Sequence, residues 1–108
     1  MEDGAVLGYI LAALHSKDQL PSALKLYERL RKTRGETIAR ETFAQRDDFH
    51  MPDGPQQEAR DALMLSKLGK PIDCKFPARW QCPIAQPWLY GYDAEKEVEQ
   101  ALHEWPLE

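Results

Sequence analysis

A histidine beside two aspartates is the arrangement in this sequence best suited to proton transfer. His50 follows Asp47 and Asp48 at the expected end of a helix. A buried His–Asp pair can act as a general acid or base, so His50 and Asp47 are the candidate catalytic residues. Asp47 and Asp48 do not make a proton-sharing pair, because adjacent helical residues point in different directions. We favour the simpler interpretation, in which His50 lies at a helix end and is satisfied by main-chain carbonyls.

Aromatic side chains are concentrated in a proline-rich stretch, where they could line a pocket for an aromatic ligand. The candidate substrate-binding residues are Trp80, Trp88, Tyr90 and Tyr92. Buried aromatic side chains also anchor irregular segments, since each covers a large apolar area. We favour this anchoring role and keep the ligand pocket as the alternative.

Motifs for metal or nucleotide binding are missing from the sequence. Its three histidines fall on separate elements, without the HxxxH or HxH spacing of a metal site. None of its six glycines forms the GxGxxG turn that holds a dinucleotide phosphate. The sequence therefore predicts no metal site and no FAD, NAD or ATP binding by the chain alone.

Two cysteines are separated by seven residues, a spacing that fits neither a CxxC redox pair nor a zinc knuckle. We interpret Cys74 and Cys82 as free thiols of a cytoplasmic protein. The net charge of -4 argues against nucleic-acid binding, which usually needs a basic excess. The uncharged run from Ala5 to Leu14 is about half of the ~20 residues that a membrane span requires, so we expect no membrane association. Glu2 and Asp3 replace the basic residues that begin a signal peptide, and no small-residue cleavage site follows, so we expect no signal peptide either.

Hydrophobic periodicity predicts a mainly α fold of about five helices without a substantial sheet. We expect one helical domain over residues 1–108, with helices one to four in 1–69, an irregular proline- and aromatic-rich strap in 70–92, and a last helix in 93–108. The strap follows from its four prolines, which forbid a long helix.

Glycine and proline residues set the expected helix boundaries. Gly35 is predicted to separate the second helix from a third, which runs from about Glu36 to Phe49. Pro55 opens the fourth helix, and Gly69 caps its end in the left-handed conformation. Two further residues delimit the last helix, which Asp93 caps and Pro106 ends.

The first helix, from about Glu2 to Ser16, has no charged residue between Ala5 and Leu14. A helix that is apolar on all sides is typical of a buried position in a larger fold. A chain this short cannot cover such a helix by itself, and an exposed apolar patch marks a partner surface. We therefore expect a homodimer or a tightly held partner, with the interface at Val6, Ile10 and Leu14.

Five blocks, in the order and at the spacing found in one family, carry a resemblance over nearly the whole chain. They are Met1–Leu7 (MEDGAVL), Leu26–Arg31 (LYERLR), Arg40–Arg46 (RETFAQR), Phe49–Pro55 (FHMPDGP) and Gln86–Asp93 (QPWLYGYD). Together they resemble the FAD-dependent aromatic monooxygenases of the salicylate hydroxylase type, in particular the fungal branch of that family.

The resemblance implies that the chain corresponds to the C-terminal portion of a longer enzyme, with Met1 at an internal position. In that family the long first helix lies between the FAD domain and the substrate domain. The full enzyme uses FAD and a reduced nicotinamide to hydroxylate an aromatic ring with molecular oxygen. The N-terminal FAD-binding fold has no counterpart here, and no FAD ligand of the family maps onto this sequence. Glu2 and Asp3 come nearest, because they follow the cofactor-contacting loop.

Three functions remain open at this point. In the first, the chain is a truncated helical module of such a hydroxylase. It is then not redox-active alone, and FAD is present only if the missing domain is supplied in trans. Alternatively, it is a cofactor-free cyclase or isomerase of secondary metabolism that acts on an aromatic or polyketide-like small molecule. The third possibility is a structural or interaction fragment without catalysis.

Overall fold

The computed structural model describes residues 1–105 and 107, and within them the chain folds into α-helices and turns without a β-strand. The mainly α prediction is confirmed. The five α-helices are α1 (Glu2–Ala12), α2 (Leu20–Phe49), α3 (Pro55–Ser66), α4 (Ala85–Tyr90) and α5 (Ala94–Glu104). Two short 3-10 helices, Lys17–Gln19 and Arg79–Gln81, lie in the connections.

Two compact units make up the structure. Unit 1 combines residues 1–37 with residues 93–108, and unit 2 comprises residues 38–92. Helix α2 contributes its first part to unit 1 and its last part to unit 2.

Unit 1 has a small apolar core built by α1, α2 and α5. Its buried residues recur at the three- and four-residue spacing expected of one face of a helix. They are Val6 and Ile10 of α1, Ala23 and Leu26 of α2, and Val98 and Ala101 of α5. Since α1 packs along α5, the two ends of the chain share this core.

Helix α1 is covered on one side only, as expected of an apolar helix in so short a chain. Only Val6 and Ile10 are buried in this helix, whereas Gly4, Gly8 and Leu11 are exposed. The physical reason is geometric: unit 1 presents neighbours to one stripe of the helix, so the opposite side stays uncovered. Helix α1 also ends at Ala12, earlier than predicted.

The predicted break at Gly35 is wrong as well, because α2 continues through this residue for a total of 30 residues. An interior glycine costs about 1 kcal/mol relative to alanine, but it keeps its main-chain N–H and carbonyl. The helical hydrogen-bond ladder therefore passes through Gly35 uninterrupted.

The end of α2 is fixed by a side chain of α3. Arg60 donates from Nη1 to the carbonyl oxygen of Asp48 at 2.7 Å and to that of Phe49 at 3.4 Å. These are carbonyl groups that have no partner within the helix at its C-terminus. A cation at this end also interacts favourably with the helix dipole, so Arg60 stabilises the turn into α3.

Residues 70–92 contain two features that the sequence did not predict. The segment contains α4, whose Pro87 lies in the first turn, where the missing N–H removes no helical hydrogen bond. Cys74 and Cys82 form a disulfide with their Cα atoms 4.4 Å apart. The interpretation as free thiols is thus wrong, because the 3-10 turn between them folds the segment back and brings the two thiols together.

The cap of α5 follows the prediction, and so does the conformation of Gly69, although the C-cap position of α3 is occupied by Lys67. Asp93 accepts a hydrogen bond from the main-chain N–H of Lys96 at 3.0 Å, which satisfies a free donor in the first turn of α5. Gly69 has a φ of 70°, the left-handed conformation expected after α3. Pro106 lies outside the described residues. In the part of the chain that the structure describes, no helix is both long enough and apolar enough to cross a membrane.

Candidate functional site

The candidate catalytic residues lie on the surface at the end of α2. Asp47 and His50 are both exposed, and Asp47 accepts hydrogen bonds from the guanidinium group of Arg46. The main-chain N–H of His50 donates to the carbonyl of Arg46 at 2.9 Å. Among the described residues, no hydrogen bond joins the imidazole of His50 to Asp47. The structure therefore gives this pair neither the burial nor the contact that a proton-transfer pair needs.

The four candidate aromatic residues lie in unit 2, two of them on α4 and the other two outside it. Trp80 is in the 3-10 turn and is half-buried, and Tyr92 is half-buried just beyond α4. Trp88 and Tyr90 belong to α4 and are 42% and 73% exposed. Residues two apart on a helix do not face each other, so α4 does not place Trp88 and Tyr90 side by side.

The residues predicted to form an interface lie in or against the core of unit 1. Val6 and Ile10 are 1% and 0% exposed, and Leu14 packs against the same cluster. A second chain could reach Val6 and Ile10 only if α1 left this core. The exposed side of α1 instead carries small residues, Gly4, Ala5, Gly8 and Ala12, which together with Tyr9 line a shallow depression of about 360 Å³.

Four charged side chains form an arginine–carboxylate cluster where α1 begins. Arg34 donates to both carboxylate oxygens of Glu2, from Nε at 2.9 Å and from Nη2 at 3.0 Å. Arg31 bridges the two acids, with Nη2 2.7 Å from Glu2 and Nε 2.6 Å from Asp3. Charge-assisted bonds of this bidentate kind are among the stronger ones in proteins, so the cluster fixes the first turn of α1 on α2.

The electrostatics of this cluster follow from the burial of its cations. Arg31 and Arg34 are 7% and 6% exposed, and a buried charge is tolerated only when it is paired. The hydrogen bond from Arg34 is the main cause that lowers the pKa of Glu2 to about 2, with further lowering by Arg31 and an opposing effect of burial. Because Glu2 and Asp3 occupy these guanidinium groups, the cluster is an internal clamp.

Glu2 and Asp3 were singled out in the sequence through the family resemblance, but their arginine partners were not predicted. Arg31 and Arg34 are three residues apart, which places both on one face of α2. They lie on the same buried face of α2 as the core residues Ala23 and Leu26, but they are charged. Two arginines that continue the buried face of an amphipathic helix are the signal that could have predicted the clamp.

A second polar cluster in unit 2 is centred on Arg79. Its main-chain N–H donates to Oε1 of Gln45 at 2.6 Å, and its Nη1 donates to Glu41 at 3.1 Å. Its Nη2 lies 3.6 Å from a carboxylate oxygen of Asp48. Nε of Arg79 and Nε2 of Gln45 are buried and have no hydrogen-bond partner among the described residues. The spacing of residues 41, 45 and 48 places them on one face of α2, which is the only signal in the sequence.

A cleft in unit 1 runs between α2 and α5 and has a volume of about 260 Å³. Leu26, Leu30 and Ala101 line it together with charged side chains, and Trp105 lies at its edge. The guanidinium carbon of Arg29 lies 4.6 Å from the centroid of the Trp105 ring, a cation–π contact. Within residues 1–105 and 107, no three His, Cys, Asp or Glu side chains are grouped so that they could hold a metal ion.

No protein-family model matches the chain, but it is similar to curated proteins over part of their length. It is a homologue of one stretch of the FAD-dependent monooxygenases. The FAD-dependent monooxygenase OpS4 of Beauveria bassiana is 47% identical over 102 residues, which are 94% of this chain and 23% of the relative. The FAD-dependent monooxygenase atnJ of an Arthrinium species is 37% identical over 69 residues, or 64% of this chain and 16% of the relative.

A bacterial relative widens the comparison. The 3-amino-4-hydroxybenzoate 2-monooxygenase PtmB3 of Streptomyces platensis is 33% identical over 99 residues, which are 87% of this chain and 20% of the relative. The chain thus spans less than a quarter of the length of the curated relatives it matches. The resemblance to FAD-dependent monooxygenases that the sequence predicted is confirmed.

Proposed function

We propose that the chain is the C-terminal helical module of an FAD- and NAD(P)H-dependent aromatic hydroxylase of fungal secondary metabolism. It is not redox-active alone and works together with an FAD-binding portion. One observation carries the proposal: OpS4 matches 94% of this chain, yet the match is only 23% of OpS4. The sequence has no dinucleotide-binding fingerprint, so the flavin chemistry resides in the portion that the match does not cover.

The exposed side of α1 is the surface that we assign to this partner. A Cβ atom added at Gly4 or Gly8 would meet nothing within 4 Å, so packing within the chain does not require glycine at either position. Glycine nevertheless weakens a helix by about 1 kcal/mol relative to alanine. A partner whose backbone lies close to α1 would explain both glycines, because a side chain at either position would keep that backbone away. The arginine–carboxylate cluster holds α1 in place for such a contact.

An aromatic substrate is supported by the relatives rather than by a pocket. The Streptomyces platensis relative is named for 3-amino-4-hydroxybenzoate, an aromatic acid. Trp88 and Tyr90 of α4 are exposed in this chain and are the side chains that we assign to the substrate or to the adjoining domain. Trp80 and Tyr92 are assigned to the same region of unit 2. In this proposal both units act as one helical module.

Complementation in trans tests the proposal. The chain is co-expressed with the part of OpS4 that it does not match, and the complex is purified through a tag on the chain. We expect the chain alone to be colourless and the complex to show flavin absorption, with a molar mass equal to the sum of its parts. A colourless preparation, or a yellow OpS4 portion that sediments separately from the chain, would contradict the proposal. If the chain has twice its own molar mass and does not bind the OpS4 portion, the homodimer is favoured instead.

A matched pair of glycine variants tests the assigned surface. Gly8→Leu adds bulk on the exposed side of α1, and Gly35→Leu adds the same bulk on α2, where a Cβ atom also meets nothing within 4 Å. Both variants are expected to fold like the parent chain, as circular dichroism can show. Only Gly8→Leu should prevent recovery of the yellow complex. Equal recovery with both variants would exclude the exposed side of α1 as the contact.

A further inference from the structure

The segment from Cys74 to Cys82, here called the cystine loop, is closed by a disulfide over a sequence separation of 8. Cys74 is an exposed residue and Cys82 is half-buried. The loop contains Ala78, which is 7% exposed, and the 3-10 turn that carries Arg79 and Trp80. The loop is therefore a short covalent ring in which Cys74 is exposed to solvent and Ala78 is buried.

The hydrogen bonds and the ion pair that the structure describes between the cystine loop and α2 all come from Arg79. The main-chain N–H and the guanidinium group of Arg79 contact Gln45, Glu41 and Asp48, which follow one another along a single face of the helix. The remaining main-chain hydrogen bonds of the loop are local, such as those from Gln81 to Ala78 and from Cys82 to Arg79. Attachment of the loop thus depends on how well the ring holds residue 79 opposite α2.

We propose that the Cys74–Cys82 disulfide is a redox-sensitive clasp that controls the attachment of the cystine loop to α2. Closing a ring removes conformational freedom from the chain, and Arg79 is one of the residues inside this ring. When the disulfide is reduced, the loop regains that freedom. Arg79 then leaves Gln45, Glu41 and Asp48 for part of the time, and Trp80 becomes more exposed. The proposal is independent of the partner assigned above.

The chemistry of the switch is thiol–disulfide exchange with a dithiol. One thiolate of the dithiol attacks Sγ of the exposed Cys74, the S–S bond breaks, and Cys82 leaves as a thiolate that takes up a proton. The second thiolate of the dithiol then attacks the mixed disulfide and releases Cys74. Two electrons and two protons pass from the dithiol to the protein, which ends with two thiols while the reagent ends as a cyclic disulfide.

Alkylation and amide hydrogen exchange test the clasp on the unmodified chain. Protein prepared without reductant is expected to show no thiol that iodoacetamide alkylates, and dithiothreitol should release two. Reduction should speed exchange at the amide of Arg79 by about tenfold or more, because a short ring contributes several RT to the order of the loop. Exchange in the core of unit 1, at Val98 and Ala101, should not change.

Two sets of variants serve as controls. The double variant Cys74→Ser, Cys82→Ser should exchange rapidly at Arg79 with or without dithiothreitol. Gln45→Ala should speed exchange at Arg79 in the oxidised protein without releasing a thiol, whereas Gln56→Ala, which changes an exposed glutamine of α3, should leave the rate as it is.

Four results would overturn the proposal. They are two alkylated thiols before reduction, equal exchange at Arg79 in both redox states, a response of the double serine variant to dithiothreitol, and loss of the whole helical signal on reduction. The last result would mean that the disulfide holds the entire fold together instead of the loop alone.

Discussion

We expect Glu2 to stabilise unit 1 more than a partly exposed residue of a first helical turn normally does. It is the acceptor for both Arg31 and Arg34, whose guanidinium groups are buried. Breaking a pair of this kind is unfavourable because an uncompensated charge then remains away from water. The side chain of Glu2 is itself 39% exposed, so solvent screening reduces the size of the effect.

Glu2→Gln should therefore lower the free energy of unfolding at neutral pH by about 1 kcal/mol, measured by urea denaturation. The pKa of Glu2 is lowered from 4.5 to about 2 in the folded chain. A lowered folded-state pKa contributes stability above the unfolded value, and this contribution is lost as the pH falls through the folded value. The difference between parent and variant should be complete above pH 4.5 and shrink between pH 4.5 and about 2.

Glu36→Gln is the control for this measurement, because Glu36 is an exposed carboxylate of α2. Its effect on stability should be within about 0.5 kcal/mol. If Glu2→Gln is equally mild, or if its effect does not depend on pH in the stated window, the arginine–carboxylate cluster does not stabilise unit 1.

His50 and Asp47 are expected to be replaceable. Both are exposed at the end of α2, and exposed substitutions away from caps and clusters usually change stability by less than about 0.5 kcal/mol. We expect the His50→Ala, Asp47→Ala double variant to unfold like the parent in urea and to form the yellow complex normally. A complex of this variant that binds flavin but loses hydroxylation would restore both residues as catalytic candidates.

Side-chain partners were the part of the site that the sequence predicted least. Cys74 and Cys82 have a spacing that matches no motif, and only the 3-10 turn between them brings them together. Arg79 finds Gln45 across a sequence separation of 34. Contacts of this kind depend on where the elements lie, and that is information which local patterns do not contain.

At the scale of the helices, substitution of Gly35 tests the effect of helix propensity without a change in packing. It lies inside α2, and an added Cβ would meet nothing within 4 Å. Gly35→Ala should raise the free energy of unfolding by about 0.5–1 kcal/mol, because alanine loses less backbone entropy on folding. Gly91→Ala is the contrasting control, since its Cβ would lie 2.6 Å from the carbonyl oxygen of Pro87. It should destabilise the chain, and a stabilising Gly91→Ala would contradict the described turn after α4.

The cap of α5 gives a second test. Asp93→Ala removes the side chain that accepts the N–H of Lys96, and loss of a cap residue typically costs about 1 kcal/mol. Asp93→Asn keeps an acceptor oxygen and should restore most of the stability. Thermal unfolding followed by circular dichroism can compare the three chains. Equal melting of the alanine variant and the parent would argue against the cap.

The sequence predicted several helix ends correctly, but it did not predict that α2 is one continuous helix. The cap at Asp93, the start at Pro55 and the left-handed Gly69 come from local chemistry, and the structure confirms them. The continuation of α2 through Gly35 was missed because a propensity penalty of about 1 kcal/mol was interpreted as a break. The one-sided burial of α1 agrees with the expectation that so short a chain leaves part of this helix uncovered.

Most of this chain can be aligned with its relatives, but the aligned part is less than a quarter of the length of each relative. We expect the isolated chain to show no absorption at flavin wavelengths after purification, even when FAD is added. Binding of FAD by the chain alone, measured by fluorescence quenching, would contradict the assignment of the cofactor to a separate portion.

Unit 1 is discontinuous in sequence, since residues 1–37 complete their core only with residues from 93 onward. The hydrogen bond from Gln19 to the carbonyl of Leu107 closes a separation of 88 residues. Contacts between distant residues form slowly, because loop-closure entropy opposes them until other contacts compensate. Refolding should therefore proceed in a definite order, with the contiguous residues 38–92 gaining protection first and the joining of α1 to α5 as the slow step.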